Sequence, residues 1–143
     1  MDFSGTWRVH SEENLEDFLK VVAPEMVIKM RKDVKPVVVI EQNDKLFTFT
    51  VKTPVCTHVH SFSIGKESEI TTVDGSKFKC TVREENGKLI AETDKFTSVR
   101  EIQGDNMVEV SDPGLHFLYK SVMFYFLTVS AFSSSFRLSL LAL

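Results

Sequence analysis

The chain has 143 residues, 43% of them hydrophobic and 26% charged, with a net charge of -3. That is the length of one domain with a single sizeable core. Lys and Glu are mixed throughout without a basic stripe, which excludes a nucleic-acid-binding surface of the usual kind.

In chain order, MDFSGTWRV lacks the basic region and apolar core of a secretory signal, so a cytoplasmic protein is expected. Gly5–Val9 alternates as a strand with Trp7 and Val9 on one face. Asn14 reads as a helix N-cap with Asp17 in the capping-box position. Leu15, Phe18, Leu19 and Val22 then form the stripe of a short amphipathic helix. Pro24 suits the first turn of a second helix reaching Lys32. Neither helix is long enough to stand alone in water, so both must pack on something.

From Lys35 the pattern turns to β, in segments near 35–42, 46–52, 57–63, 69–73, 77–84, 88–93, 96–103 and 106–110. Gln42-Asn43-Asp44, Asp74-Gly75, Asn86-Gly87 and Gly104-Asp105 separate them as turns. Short turns at this spacing imply an antiparallel meander, and a meander this long removes its exposed edges by closing into a barrel. The expected fold class is therefore all-β, an up-and-down antiparallel barrel with a helix pair inserted after the first strand. Polar residues such as Thr48, Thr50, Thr71, Thr72, Cys80, Ser98 and Arg100 would mostly face solvent. A barrel of about ten strands is nevertheless wider than its side chains can fill, so a partly polar, partly wet interior holding a small amphiphile is also expected.

Catalytic and metal chemistry find little support in the residues. Cys56, His58 and His60 share one strand face, but neighbours on a face lie about 6.6 Å apart, and the outer pair is too distant for one ion. They read as polar residues on a barrel strand. No nucleophile arrangement and no phosphate-cradling loop is present, so no enzyme, metal or cofactor is expected. Two cysteines, Cys56 and Cys80, are too few for a disulfide framework and are expected as free thiols.

Gly5-Thr6-Trp7-Arg8-Val9, followed by Glu13–Leu19, resembles the opening signature of the intracellular lipid-binding (fatty-acid-binding) proteins. Lys52-Thr53-Pro54, Ser61–Glu67, Thr71–Gly75, Phe78–Val82, Asn86–Leu89 and Asn106–Glu109 are similar to the liver basic, bile-acid-binding branch of that family. The resemblance covers about residues 1–109. It implies a ten-stranded calycin-like barrel under a helix-turn-helix lid, a monomer carrying bile acids or fatty acids without catalysis. Leu15 departs from it, standing where the signature has an aromatic residue, and the turn Val21–Pro24 is one residue short. Val55, Ser76 and Ser98 occupy places where basic or imidazole groups help meet ligand charge in the bile-acid binders. Arg100 is the first candidate to meet a ligand carboxylate instead, and Lys77 the second. Phe62 and Val73 would supply contact area near the opening, and Val27 and Met30 would line the lid.

Past Glu109 the resemblance ends and the composition changes: three charges remain (Asp112, Lys120, Arg137) among Phe, Ser and Leu. The sequence thus divides into a barrel region, 1–109, and a divergent apolar tail, 110–143. Val110-Ser111 is what GTAAGT or GTGAGT encodes, so the tail reads as translated intron in place of the usual last strand. Three outcomes are open. Leu115–Lys120 folds back as a surrogate strand, the uncharged run Ser121–Phe136 enters a membrane, or the barrel stays open and the product is unstable or non-binding. The run falls short of the roughly 20 residues a span needs, so membrane contact would be transient at most.

Overall fold

The computed structural model describes residues 2–23, 25–32, 34–54, 57–71 and 77–126. Two helices, α1 (Leu15–Val22) and α2 (Glu25–Lys32), follow strand β1 (Gly5–Glu13). The meander then runs through β2 (Val37–Asn43), β3 (Leu46–Lys52), β4 (Thr57–Ser63), β5 (Glu67–Thr71), β6 (Lys77–Glu85), β7 (Lys88–Thr93), β8 (Thr97–Gln103) and β9 (Asn106–Asp112) to β10 (Tyr119–Phe126). All ten strands join one antiparallel sheet in the order β4-β3-β2-β1-β10-β9-β8-β7-β6-β5. The first and last strands pair, so the sheet curls into a nearly closed barrel whose two ends are β4 and β5.

Turn chemistry sets the registers. Asn86 (φ 52°) and Gly87 (φ 78°) both take positive φ, the type I′ requirement, and fix β6 against β7 with Glu85 opposite Lys88. Asp44 (φ 57°) and Gly104 (φ 64°) serve the β2–β3 and β8–β9 turns. The Asp74-Gly75 turn lies outside the described residues, as does Pro24.

The β1-to-α1 corner differs from the sequence expectation. Asn14 has φ 61° and ψ 27°, left-handed, and its side chain makes no cap hydrogen bond. Its Nδ2 donates instead to the Leu118 carbonyl at 2.8 Å. A sharp change of direction from strand to helix requires positive φ there, and Asn tolerates it at least cost among residues with a Cβ. The side chain is then aimed away from the helix amides and fastens the β9–β10 connection.

The segment after Glu109 supplies the tenth strand. Pairing begins at Tyr119, four residues beyond Leu115, where the surrogate strand was expected. β10 runs against β1 from Glu13–Lys120 to Thr6–Phe126 and against β9 from Ser111–Tyr119 to Asn106–Phe124. Six residues of the run considered for membrane insertion, Ser121–Phe126, are therefore ladder residues, and no described helix is long and apolar enough to cross a membrane. A bulge between Val9 and Ser11 bends β1 around the barrel at this seam. At the far end of the seam the Tyr125 ring lies where a Cβ on Gly5 (φ 143°) would collide with it.

Alternation places Trp7, Val9, Val38, Ile40, Phe47, Leu89, Met107 and Met123 in the buried core. Trp7 Nε1 donates to the Phe3 carbonyl at 3.0 Å, so the indole is buried without an orphaned donor. Phe3 and Phe47 are fully buried beneath it. This apolar plug fills one end of the barrel and leaves the space nearer the helices.

Candidate functional site

The same alternation that builds the plug also turns polar groups inward on β8, β9 and β10. Ser98, Ser111 and Ser121 are all buried. Ser98 faces Ser111 across the β8–β9 ladder, and Ser111 Oγ donates to Ser98 Oγ at 3.1 Å. One step further along each strand face, Arg100 stands opposite Glu109, and its Nη2 is ion-paired with Glu109 Oε2. The two side chains are 24% and 13% exposed, so the pair sits largely out of water. The Arg100 guanidinium also lies 5.1 Å from the centroid of the Phe49 ring.

Around this polar centre is a cavity of about 180 Å³. Phe49, Phe62, Ile70, Val82 and Leu89 form its apolar wall, and His60, Cys80, Ser98, Arg100, Glu109 and Ser111 its polar part. Phe18 of α1 closes the helical end, with Phe96 at 5.3 Å and Tyr119 at 5.0 Å between ring centroids. His60 Nε2 and Arg100 Nη1 are buried without a hydrogen-bond partner. Arg100 lies over Phe49, and His60, the ladder partner of Phe49, stacks on Phe62, whose ring is 5.5 Å from that of Phe49.

Charges tune this interior. Burial, and secondarily the neighbouring His58, lower the His60 pKa from the ordinary 6.5. Burial also raises the Cys80 thiol, only partly opposed by Arg100, which makes it an unreactive wall residue. Tyr119 is raised by burial first and then by the Glu109 charge, and it keeps its proton. Its hydroxyl donates to Glu12 Oε2 at 2.5 Å, the oxygen that also accepts from Arg31 Nη2 at 2.6 Å. Arg31 belongs to α2, Glu12 to β1 and Tyr119 to β10, so one carboxylate pins the second helix to the seam of the barrel.

Two strands leave a side opening. No ladder joins β4 to β5, although a side-chain contact, His58 Nε2 with the Thr71 carbonyl, spans them. The β4–β5 turn is held from both sides, Ile64 N–H donating to the Lys45 carbonyl at 2.9 Å and Gly65 N–H to Val82 at 2.8 Å.

Of the residues singled out in the sequence, Phe62, Ser98 and Arg100 line the cavity. Lys77 does not: it lies on the outer face of β6, 61% exposed, 3.6 Å from Glu69. One residue along a strand changes the face, so Arg100 points in because Ser98 does, while Lys77 follows the opposite parity to Cys80 and points out. Val55, Val73 and Ser76 lie outside the described residues, as do Cys56 and the side chains of Val27 and Met30. Cys80, Ser98 and Arg100 were expected mostly to face solvent, and face the interior instead. Sequence reasoning missed Glu109, Ser111, Phe49 and His60 as cavity residues. A signal for Glu109 was present: Gln103 and Asn106 flank the Gly104-Asp105 turn, and counting back from them brings Arg100 opposite Glu109. Among the described residues no group of three His, Cys, Asp or Glu side chains is placed to hold a metal.

Residues 1–122 match the family model described as the lipocalin / cytosolic fatty-acid binding protein family. The chain belongs to that family. It is 53% identical over 110 residues to the liver fatty acid-binding protein of Schroederichthys bivius, covering 76% of this chain and 87% of that one. It is 37% identical over 123 residues to gastrotropin of Oryctolagus cuniculus, 80% of this chain and 91% of that protein. Among solved structures, "Human cRBP IV" superposes with a TM-score of 0.76 at 25% identity, over 87% of this chain and 98% of that one. A structure titled "REP1-NXSQ fatty acid transporter" gives 0.78 at 24% identity, over 87% and 96%, which bears on the fold alone. The family match ends at residue 122, inside the seam strand β10.

The depressed His60 pKa has a consequence for stability. Below pH 6.5 the unfolded chain takes up a proton that the folded barrel resists, so stability is lost as pH falls through the lowered value. The His60→Gln variant is expected to show a shallower fall in Tm between about pH 7 and about pH 5 than the wild type. Equal slopes in the two melting series would remove His60 as the source.

Proposed function

We propose that the protein is a non-catalytic, monomeric carrier that holds a bile acid or a long-chain fatty acid inside the barrel. The observation that carries this reading is the cavity inside the barrel with a largely apolar wall and one polar centre at Arg100 and Glu109. Each Å² of apolar ligand surface removed from water contributes on the order of 25 cal/mol, so a lipid body gains most of its affinity from the Phe and aliphatic wall. The relatives named for fatty-acid binding and gastrotropin support the same class of cargo. Phe62, Ser98 and Arg100 are the contacts this reading assigns among the described residues, with Val27, Met30, Val55, Val73 and Ser76 as further contacts.

The cavity's 180 Å³ is below the roughly 300 Å³ at which ligand pockets usually begin. Uptake therefore includes widening, and the β4–β5 opening is where the sheet has no ladder to break. The other reading is a read-through product with an incomplete barrel that is non-binding, unstable or weakly membrane-associated; the presence of β10 in the seam favours the carrier over it.

Displacement of a fluorescent fatty-acid probe by glycocholate and by oleate tests the proposal. Saturable displacement at micromolar ligand is expected. A folded, monomeric protein from which neither compound displaces probe, and which takes up no probe, overturns the carrier reading.

A further inference from the structure

Resting on the carrier reading, we infer that the polar centre of the cavity recognises an uncharged hydroxyl group of the ligand and discriminates against a carboxylate, with Glu109 as the residue that sets this choice. The Arg100 guanidinium is the cation on the cavity wall, and Glu109 already neutralises it from the adjacent strand. What remains for a ligand is one guanidinium nitrogen, Arg100 Nη1, one imidazole nitrogen, His60 Nε2, and one carboxylate acceptor, Glu109 Oε2, each buried without a hydrogen-bond partner. Arg100 lies over the face of the Phe49 ring, and His60 is the ladder partner of Phe49 with its own ring stacked on Phe62 at 5.6 Å.

A hydroxyl both donates and accepts. It accepts from Arg100 Nη1 while its proton satisfies His60 Nε2, the acceptor of the imidazole when Nδ1 carries the ring hydrogen. In the other tautomer Nε2 donates, and the hydroxyl's second lone pair receives it. A carboxylate only accepts. Brought to the same place it meets the Glu109 carboxylate at close range in a partly desolvated site, and it has to compete with Glu109 for one guanidinium. The cargo selected at this centre is thus a lipid alcohol, a long-chain or polycyclic body ending in, or bearing, a hydroxyl. An acid that enters keeps its carboxylate away from the centre.

Paired titrations of the full chain with 1-dodecanol and laurate, equal in chain length, read this directly. Wild type is expected to bind the alcohol at least about tenfold more tightly. In Glu109→Gln the amide still accepts from Arg100 but cancels no charge. Laurate should tighten about tenfold while dodecanol changes less than about threefold. His60→Leu removes the other polar atom and should weaken dodecanol several-fold while leaving laurate unchanged, which keeps the inference testable if the Gln variant does not fold. Laurate binding as tightly as dodecanol to wild type overturns the inference and leaves the carrier reading standing. So does indifference of both ligands to both substitutions. Failure of both ligands to bind overturns this inference, and the carrier reading falls with it only if glycocholate and oleate fail as well.

Discussion

A chain ended at Asp112 is expected to lose cooperative thermal unfolding, whereas a chain ended at Phe126 keeps it. The difference between them is the β9–β10 connection and β10, the strand that sits between β1 and β9 and makes the barrel continuous. Removing it strips ladder partners from β1 along Thr6–Glu13 and from β9 along Asn106–Ser111. It also removes buried Tyr119 and Met123 and uncovers Trp7, Val9 and Met107 behind them. Each large side chain buried contributes about 1.5–3 kcal/mol. Two lost outright, with further apolar surface uncovered, approach the whole of the roughly 5–15 kcal/mol that holds a domain folded. Two long unpaired edges then face each other, the arrangement that leads to association between chains. The lid suffers as well, because Tyr119 hydroxyl shares Glu12 with Arg31 of α2. Circular dichroism melts with light scattering measure the outcome. A melt of the Asp112-ended chain as sharp as wild type, within about 5 °C, would show that β10 is dispensable for folding.

Arg100→Met is expected to destabilise the barrel by about 3 kcal/mol, while Arg100→Met combined with Glu109→Leu costs about nothing or is mildly stabilising. The single change leaves Glu109, 13% exposed, with a charge and no cation opposite it. Breaking a buried pair costs about 3–5 kcal/mol for that reason, and the residual exposure of Arg100 places this case at the lower end. The double change replaces both charges with apolar groups against Phe49, Ile70 and Leu89, which line the same space. Urea midpoints of the two single variants and the double variant give the coupling energy directly. A single-variant cost below about 1 kcal/mol would mean that solvent already screens the pair. The double variant is also expected to lose any preference between an alcohol and an acid, since the polar centre is gone.

Much of the barrel was legible before any coordinates. Period-2 alternation and the Asn86-Gly87 turn are local, and they located β2 to β9 to within a few residues. Even so, β9 extends to Asp112, beyond the apparent break at Glu109. What failed were features whose cause lies elsewhere in the chain. Asn14 has the composition of an N-cap, yet its side chain is recruited by Leu118, more than a hundred positions later. Lys77, one residue from Ser76, and Arg100, two from Ser98, look equivalent as cations near a family position, but only strand parity tells that one pairs with Glu69 outside and the other with Glu109 inside.

The sequence by itself determined the family, the meander and the turns, because those depend on neighbours within a few residues and on motifs that survive in order along the chain. It also carried the Arg100–Glu109 pairing implicitly, through the hairpin that joins them. Only the tertiary structure decided that the segment after Asp112 closes the barrel. Backbone donors and acceptors on the free edges of β1 and β9 accept almost any β-capable partner of the right length, so the Tyr119–Phe126 strand is selected by the gap it fills more than by its own pattern. The tertiary structure alone likewise set the charge balance of the cavity. A neutralised guanidinium and a free one are the same residue in the sequence, and they differ only in what faces them across the ladder.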